Sequence, residues 1–468
     1  MKRTFFILLG LTTLLVMPRP SAAAHPLIVS VEEAGQRRSL TVEECIEMSL
    51  KASKGLHASE MRVEASAAKT KEMGAARLPA LKLGAGYTRL SQVPPFEVSL
   101  PFLPTKFVVS PNYFNNYVIR LGLQQPLFTG FRLEASTDMA RLNMKAYEQD
   151  MARNQSELVY EVRAAYWNLY KAREFTRVVD ESLDQIRAHL ADVKNKFDAG
   201  LLTRNEVLRA EVQLSNVQLA RIDAGNAIEL AGVWLNSLLG LPLDTGIDLA
   251  TGIEAGSALS GQAGEEVAPG ARAEPVRIPE SLVAGARDLR PDLKAMEFRV
   301  KAGEAGVTAA KSGYYPQVFL SGNYYDMRPN SRLLPAKDKF YSTWDISLNI
   351  SMDLWNWGTT ARQTQQAKAQ LAQAADALGQ LQDVVAVEVR QCWLDLRKAK
   401  EKIAVGRASV AQAEENFRVT TEQFQAGVAI NADVLDAEVA LLQARTNLTQ
   451  SLVDMELAKA KLEKATGK

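Results

Sequence analysis

The chain has 468 residues, and its content of 47% hydrophobic and 23% charged residues excludes a wholly disordered protein. The 55 basic and 54 acidic side chains nearly cancel and form no basic block, which argues against binding to nucleic acid. Only two cysteines and three histidines are present, so a zinc fold or a disulfide-stapled scaffold is not expected.

The first 24 residues have the pattern of a secretory signal peptide. Lys2 and Arg3 precede an apolar run over residues 5–17, and small residues at 21–24 form a cleavage site. A run of about 13 residues is too short to cross a hydrocarbon core of about 30 Å, which argues against a membrane anchor. No later window contains 18 consecutive apolar residues, so any membrane crossing by the mature chain would use strands.

The remaining sequence contains an internal duplication. Residues 161–212 align with 388–439 without a gap and share 18 identities. We therefore divide the mature chain into a first repeat, 25–240, and a second repeat, 281–468. Residues 241–280 are rich in Gly, Ala, Pro and Glu, and are predicted to be a surface linker between the repeats.

Each repeat is predicted to contain a helix, two strands, one very long helix, a sharp break and a further helix. The first long helix spans about residues 132–198 without a proline, and at 1.5 Å per residue it would be about 100 Å long. Apolar residues recur along it at intervals of three and four, as at Leu183, Ile186 and Leu190. This spacing is typical of a coiled-coil seam, and a helix of this length cannot belong to a compact domain of ordinary size.

The predicted strands alternate between apolar and polar residues. Every second residue is apolar in 344–354, and 81–88 and 117–124 follow the same rhythm, whereas 318–327 is less regular. A soluble antiparallel sheet with one wet face or a transmembrane barrel would explain this alternation. The signal peptide and the aromatic residues clustered at the strand ends favour the barrel.

In the barrel interpretation, one face of the last strand contacts lipid. That predicted lipid-facing set is Trp344, Ile346, Leu348 and Ile350. Four strands cannot close a barrel, because the smallest known barrels have about eight. Other copies of the chain must supply the rest: two copies would give eight strands, and three would give twelve.

Several short motifs occur in a fixed order along the two repeats. Residues 126–132, Pro-Leu-Phe-Thr-Gly-Phe-Arg, precede the first long helix, and residues 290–293, Arg-Pro-Asp-Leu, lie near the start of the second repeat. The element AG-x6-VL-x-AEV occurs twice, beginning at Ala199 and at Ala426. In their order, spacing and duplication, these motifs resemble the TolC-like outer-membrane efflux protein family, the outer membrane factors of tripartite pumps.

The resemblance implies an α+β membrane protein of the cell outer membrane that extends into the periplasm. Three chains would form a trimeric 12-stranded transmembrane β-barrel, with four strands from each, that continues into a long periplasmic α-helical coiled-coil barrel. The implied partners of this homotrimer are a periplasmic adaptor, an inner-membrane transporter and outer-membrane lipid. The expected function is a passive exit duct for efflux. A duct for type I protein secretion and, more remotely, a soluble periplasmic coiled-coil scaffold remain alternatives.

The two breaks between helices carry the predicted contact with the adaptor. The tip residues are Ala199, Gly200 and Leu201 in the first repeat and Ala426, Gly427 and Val428 in the second. Glycine can adopt the left-handed conformation that reverses a chain, and such breaks can also be simple turns. The resemblance implies that six of these tips ring the end of the tunnel and contact the adaptor.

A predicted pore gate lies just beyond the second break. Asp433 and Asp436 share one helical face, and their counterparts in the first repeat are Glu206 and Arg209. Solvated charges, or the preference of helix starts for acidic residues, would also explain the aspartates. The resemblance implies a ring of six carboxylates that favours cations. Some family members close this end with a tyrosine where this chain has Phe424, and Arg209 near Glu206 is one candidate for a replacement contact.

The other reactive side chains form no predicted site. The histidines lack ligand spacing, so no metal is expected. Cys45 and Cys392 lie on different elements and are predicted to be buried thiols, and no cysteine stands at the start of the mature chain to carry a lipid. No Ser-His-Asp arrangement, phosphate loop or dinucleotide motif has the needed flanks, so we predict no enzyme, no catalytic residue and no cofactor.

Overall fold

The structure of the protein is a computed structural model that describes residues 38–94, 96–98, 107–110, 112–253 and 279–468. The predicted signal peptide and residues 254–278 of the predicted linker lie outside the described residues. Within the described part of the chain, no helix is both long enough and apolar enough to cross a membrane.

Helices make up most of the described chain. They are α1 (Val42–Ala52), α2 (Lys54–Ala75), α3 (Arg132–Asp198), α4 (Arg204–Leu239), α5 (Glu280–Leu289), α6 (Pro291–Lys311), α7 (Thr359–Gln425) and α8 (Asn431–Thr466). The predicted bounds of the first long helix are confirmed. Helices α3 and α7 each have 67 residues and α4 and α8 each have 36, so the two halves of the chain have rods of equal length.

The strands form one main sheet and two small pairs. They are β1 (Arg38–Leu40), β2 (Ala80–Arg89), β3 (Phe96–Val98), β4 (Phe107–Ser110), β5 (Asn115–Phe128), β6 (Ile247–Leu249), β7 (Gln317–Arg328) and β8 (Tyr341–Ser351). The main sheet is antiparallel in the order β2-β5-β7-β8, while β1 pairs with β6 and β3 pairs with β4, two contacts that the sequence did not predict. Strand β8 ends at Ser351, before the alternation ends at Leu354, because its neighbour β7 begins at the partner residue Gln317.

The register of the main sheet gathers the apolar residues on one face. Reading across the sheet, one row consists of Leu83, Leu121, Tyr324 and Trp344. The next row contains Leu81, Leu123, Gly322 and Ile346, and Leu348 and Ile350 lie opposite Leu320 and Val318. Cross-strand partners share a face, so the alternation in each strand adds up to one apolar surface.

The opposite face of the sheet is polar and internally hydrogen-bonded. Arg120 donates hydrogen bonds from Nε and Nη2 to Oδ1 of Asn323 at 3.0 and 2.8 Å. Asn323 in turn donates to Asp345 Oδ1 at 2.9 Å, and Asn349 donates to the Ser321 hydroxyl at 2.9 Å. These side chains therefore form hydrogen bonds with one another, and the same face keeps polar groups that can hydrogen-bond to water.

The long rods pack side by side in the order α4, α3, α8 and α7. Val179 and Ile186 of α3 and Val217 of α4 are nearly fully buried, and Leu435 and Leu442 of α8 pack against them. The rods α4 and α7 therefore form the two outer edges of this layer. Each edge carries exposed apolar residues at intervals typical of a helix seam: Val212, Leu219, Ile222, Leu230 and Trp234 on α4, and Val384, Val387, Leu394 and Val405 on α7.

The two cysteines lie in separate buried clusters, as predicted. Cys45 packs with Tyr166 and Leu235, whereas Cys392 packs with Val389 and Leu293. Both thiols are free. Burial, reinforced by nearby glutamates, raises the pKa of the Cys45 thiol to about 11, so this group stays protonated and unreactive at neutral pH.

Arg290 fastens the start of the second set of helices. Its guanidinium forms two hydrogen bonds with the Asp292 carboxylate, at 2.7 and 3.0 Å, and one with Glu388 at 2.6 Å. It also donates to the Ala465 carbonyl at 3.1 Å, so a single side chain links α6, α7 and the end of α8. Burial opposes ionisation of Asp292, but the hydrogen bonds and charge of Arg290 outweigh it and hold the pKa of that carboxyl below its ordinary value.

We expect Arg290→Met to lower the free energy of unfolding by about 2 kcal/mol at neutral pH, because it leaves two carboxylates without their cation. The stabilisation from Asp292 is present above its unfolded pKa of about 4 and is lost as the pH falls through its lower folded pKa. The difference between the proteins should therefore shrink only below about pH 4. Denaturation followed by circular dichroism at several pH values measures it. Arg418→Met, which breaks the exposed ion pairs of Arg418 with Glu415 and Glu422 on α7, should have a much smaller effect and serves as the control.

Candidate functional site at the tips of the long helices

Both long helices end in the same hydrogen-bonded turn. Gly200 and Gly427 have φ angles of +77° and +79°, a region in which a side chain is strained. The N–H of Leu201 donates to the Lys196 carbonyl, and the N–H of Val428 donates to the Gln423 carbonyl, each at 2.8 Å. This closure satisfies the last carbonyl groups of α3 and α7 and turns the chain directly into α4 and α8.

All six predicted tip residues are exposed, and the apolar ones lie at the ends of the rods. Leu201 is 73% exposed and Val428 is 79% exposed, and the adjoining Ile430 is 64% exposed. Ala199 and Ala426 precede the glycines and are also exposed. The turns thus present small apolar side chains that are largely exposed among the described residues.

Asp433 and Asp436 are both exposed, in the first turns of α8. The Asp433 carboxylate accepts a hydrogen bond from the backbone N–H of Ile430 at 3.2 Å, so this residue caps the helix. The cap uses only one oxygen of the Asp433 carboxylate, and the Asp436 carboxylate has no hydrogen bond or ion pair within the described residues. The two charges therefore share an open face of α8 beside the tip.

Within the described residues of one chain, Glu206 is hydrogen-bonded to Asn431 and forms no ion pair with Arg209. Glu206 Oε2 accepts a hydrogen bond from the Asn431 amide at 3.0 Å, and the same amide donates to the Glu206 carbonyl at 3.1 Å. Asn431 is buried beside Glu206, whereas Arg209 is exposed and forms no ion pair within the described residues. The buried Asn431 amide, and not the exposed Arg209 guanidinium, contacts Glu206 because α8 packs against α4.

A buried polar network behind the tip was not predicted from the sequence. His189 Nε2 lies 2.7 Å from Oδ1 of Asn431, which joins α3 to α8. Burial outweighs the hydrogen bond to Asn431 and lowers the pKa of His189, so the imidazole is neutral at pH 7. Seven residues further along α8, the buried Glu438 accepts hydrogen bonds from the Ser182 hydroxyl and, at 3.2 Å, from the Gln213 amide.

The sequence did contain a signal for this network. The buried positions in the first three turns of α8 include Asn431, Val434, Ala437, Glu438 and Leu441, which recur at intervals typical of one helix face. In this part of α8 two polar residues, Asn431 and Glu438, therefore lie among apolar ones, a pattern that predicts buried hydrogen bonds between helices.

Phe424 lies on the other side of the tip, where it packs through its ring and has no hydroxyl group to form a hydrogen bond. Its ring is 2% exposed and packs with Val193 and Val434. The Lys196 ammonium lies 4.1 Å from the ring centroid and donates hydrogen bonds to the carbonyl groups of Phe424 and Gln425. A cation on α3 thus satisfies the C-terminal end of α7, where the helix dipole favours positive charge.

Comparisons with known proteins show which proteins share this architecture. The model of the outer membrane efflux protein family matches residues 45–241 and 282–468. Outer membrane efflux protein BepC of Brucella suis biovar 1 (strain 1330) is 22% identical over 76% of this chain and 73% of its own length. Alkaline protease secretion protein AprF of Pseudomonas aeruginosa is 24% identical over 75% of this chain and 69% of its own length.

A solved structure shows the same fold. The outer membrane protein VceC of Vibrio cholerae superposes with a TM-score of 0.72 at 20% identity, covering 91% of this chain and 96% of that one. The predicted family, outer-membrane location and role as an efflux duct are thereby confirmed. Because the matched residues make up most of its length, the chain belongs to the outer membrane efflux protein family.

Proposed function

We propose that three copies of this chain form one passive exit duct. The observation that carries this proposal is a four-stranded sheet with one apolar face and two open edges, joined to rods of 67 residues. Open edges are not tolerated in lipid, and four strands are too few to close on themselves. Pairing β2 of one copy with β8 of the next gives a ring in which every copy has the same contacts, and three copies give twelve strands.

The rods support the same head-to-tail arrangement. The outer rods α4 and α7 come from different halves of the chain, as do the edge strands β2 and β8. Packing the apolar stripe of α4 onto that of α7 in the next copy would bury both stripes. The polar sheet face would then line the interior of the barrel, and the apolar face would contact outer-membrane lipid at Trp344, Ile346, Leu348 and Ile350.

The six tips are the proposed contact with a periplasmic adaptor. Leu201 and Val428 are exposed apolar knobs at the ends of the rods, and three copies would present six of them around one opening. An adaptor that binds there links the duct to an inner-membrane transporter, which supplies the energy. In this proposal the chain catalyses no reaction. The two repeats, 25–240 and 281–468, each supply one set of rods and one tip, and residues 241–280 link them.

We infer that Asp433 and Asp436 form the ion gate of the duct. Two carboxylates about 8 Å apart repel by about 0.5 kcal/mol in water, and by more where the pore excludes water. A ring of six would therefore attract cations and bind divalent ions. Glu206 would help to position the start of α8 through its hydrogen bond with Asn431, whereas Arg209 lies on the exposed face of α4.

The double variant Asp433→Asn with Asp436→Asn should reduce the cation preference of the channel and weaken block by divalent cations. Planar-bilayer recordings at two salt concentrations measure this, and screening should shrink the difference at high salt. The control, Asp376→Asn with Asp383→Asn, removes two exposed charges from α7 away from the tip. Reversal potentials and divalent block that match the wild type in the gate variant would leave the aspartates as ordinary solvated charges.

Protein secretion is the second candidate function, because the relatives include AprF, whose name gives protease secretion as its role. Expression in a host that lacks its own exit duct separates the candidates. Restored drug resistance with a proton-driven pump supports efflux, whereas export of a protein by an ATP-driven exporter supports secretion. A soluble periplasmic scaffold would restore neither and would be extracted without detergent.

A further inference from the structure

The charged residues on the polar face of the main sheet are few, and the register fixes where they lie. One row across this face consists, in strand order, of Lys82, Gly122, Asn323 and Asp345. Arg120 lies on the same face of β5, two residues before Gly122. Among the residues of the four strands, Lys82, Arg120 and Asp345 are the only ones on this face that carry a charge.

Hydrogen bonds within the sheet hold Arg120 beside Gly122. The Arg120 guanidinium donates from Nε and Nη2 to Oδ1 of Asn323, whose amide donates in turn to Asp345. A Cβ at residue 122 would lie 3.1 Å from that Asn323 oxygen and 3.6 Å from Arg120 Nε. The missing side chain at Gly122 therefore leaves room for this contact. Nη1 of Arg120 forms no hydrogen bond among the described residues and remains available as a donor.

The space beside the Arg120 guanidinium is open. Gly84 lies directly opposite Arg120 on β2, and a Cβ at Gly84 or at Gly86 would have no neighbouring atom within 4 Å. Strand β5 lies between β2 and β7, so pairing of the sheet edges between copies places no new strand next to Arg120. The guanidinium is exposed in the single chain for a reason that assembly of the ring does not remove.

The carboxylate of Asp345 already has a cation of its own. Arg332, in the segment after β7, donates from Nη1 to the Trp344 carbonyl at 2.8 Å, and its Nη2 lies 3.4 Å from Asp345 Oδ2. Neither Lys82 nor Arg120 forms an ion pair within the described part of the chain. Pairing of β2 with β8 of the next copy would bring Lys82 nearer to another Asp345, but the polar face would keep an excess of positive charge.

We propose that Arg120 and Lys82 bind the anionic groups of solutes that pass through the duct, such as carboxylate, sulfonate or phosphate groups. The polar face lines an interior only in the barrel, so this proposal rests on the proposed function. Diagonal neighbours on one face of a sheet are about 7–8 Å apart, which lets both long side chains reach one anionic group. A guanidinium held in place offers paired donors to such a group, and the lysine adds a mobile charge.

The assembled ring would repeat this pair three times around one opening. The sum of these charges raises the local concentration of anions inside the barrel. The sign is opposite to that of the aspartates proposed as the gate at the tips of the rods. The substrate class that the barrel favours is therefore anionic or zwitterionic.

Binding of a fluorescent polyanion tests this proposal. Pyrenetetrasulfonate, a dye that carries sulfonate groups, is added to the detergent-solubilised full chain, and the anisotropy of its fluorescence reports binding. The double variant Lys82→Gln with Arg120→Gln should raise the dissociation constant about tenfold at low salt, because charge-assisted hydrogen bonds are lost. Binding to the wild type should disappear at about 1 M salt, and tripolyphosphate should compete with the dye at low salt.

Two further variants serve as controls. Arg89→Gln with Arg328→Gln removes as much charge from the same sheet, but from its apolar face, and should leave dye binding unchanged. Lys82→Gln alone breaks no hydrogen bond or ion pair of the described residues, and it should weaken binding about threefold. This single variant keeps the test valid if loss of Arg120 disturbs the sheet. Light scattering shows whether each protein is a trimer.

The outcomes separate the anion site from the duct. Trimers that do not bind the dye at low salt, or that bind it equally well without Lys82 and Arg120, would overturn the anion site and leave the duct in place. Loss of binding only in the variant of Arg89 and Arg328 would show that the other face lines the interior, which overturns both the site and the proposed lipid-facing set. A wild-type protein that forms no trimer would contradict the duct and the anion site together.

Discussion

Leu348→Arg should destabilise the membrane-inserted protein by about 2–4 kcal/mol per chain, whereas Asn349→Arg should be tolerated. The two residues are neighbours in β8, but the register places Leu348 on the apolar face opposite Leu320 and Asn349 on the polar face. An arginine at Leu348 would have to enter hydrocarbon near the middle of the strand. An arginine at Asn349 would enter a face that already holds Arg120 and Asp345, and it should mainly alter conductance.

Heat-modified gel mobility after reconstitution measures the stability of both variants, and planar-bilayer recording measures conductance. Each copy contributes one substituted residue, so the effect of Leu348→Arg occurs three times in a trimer. Equal stability of the two variants would mean that the alternation along β8 does not separate lipid from lumen.

Leu219→Glu should prevent or strongly weaken assembly of the trimer, whereas Gln218→Glu should not. Leu219 is 61% exposed in the single chain and belongs to the apolar stripe of α4 that we propose packs onto α7 of the next copy. Losing that contact costs about 2 kcal/mol at each of three interfaces, and a carboxylate confined there costs more. Gln218 is the adjacent exposed residue and points to a different side of the rod, so the same charge there remains in water.

Light scattering of the detergent-solubilised variants measures this difference directly. Monomers for Leu219→Glu alongside trimers for Gln218→Glu would agree with the proposed ring. Trimers of equal stability for both would place the contact between copies elsewhere.

The long elements of the fold could be predicted because their signals are strong. The periodicity of the first long helix predicted its bounds at residues 132–198, since 67 residues without a proline or an apolar gap leave little choice. The small pairs β1–β6 and β3–β4 were missed, because three- and four-residue strands are too short to show alternation. The alternation in the sequence predicts that β8 continues to Leu354. It does not show that the pairing with β7 stops at Gln317, the partner of Ser351.

The candidate site was predictable in position but not in its contacts. The glycines Gly200 and Gly427 marked both turns, because their left-handed conformation favours that residue type. Asn431 lies more than two hundred positions from both His189 and Glu206, so a local pattern can mark it as a buried polar residue but cannot identify its partners. Proximity in sequence suggested the pair Arg209 and Glu206, whereas within one chain the packing of α8 against α4 brings Asn431 to Glu206.

Electron microscopy of detergent-solubilised particles tests the central claim, that three copies build one duct, most directly. We predict particles with threefold symmetry, one short barrel inside the detergent belt, and a helical tunnel about 100 Å long that projects from one side of it. Monomers, dimers with eight strands, or particles without a tunnel would contradict the proposed duct.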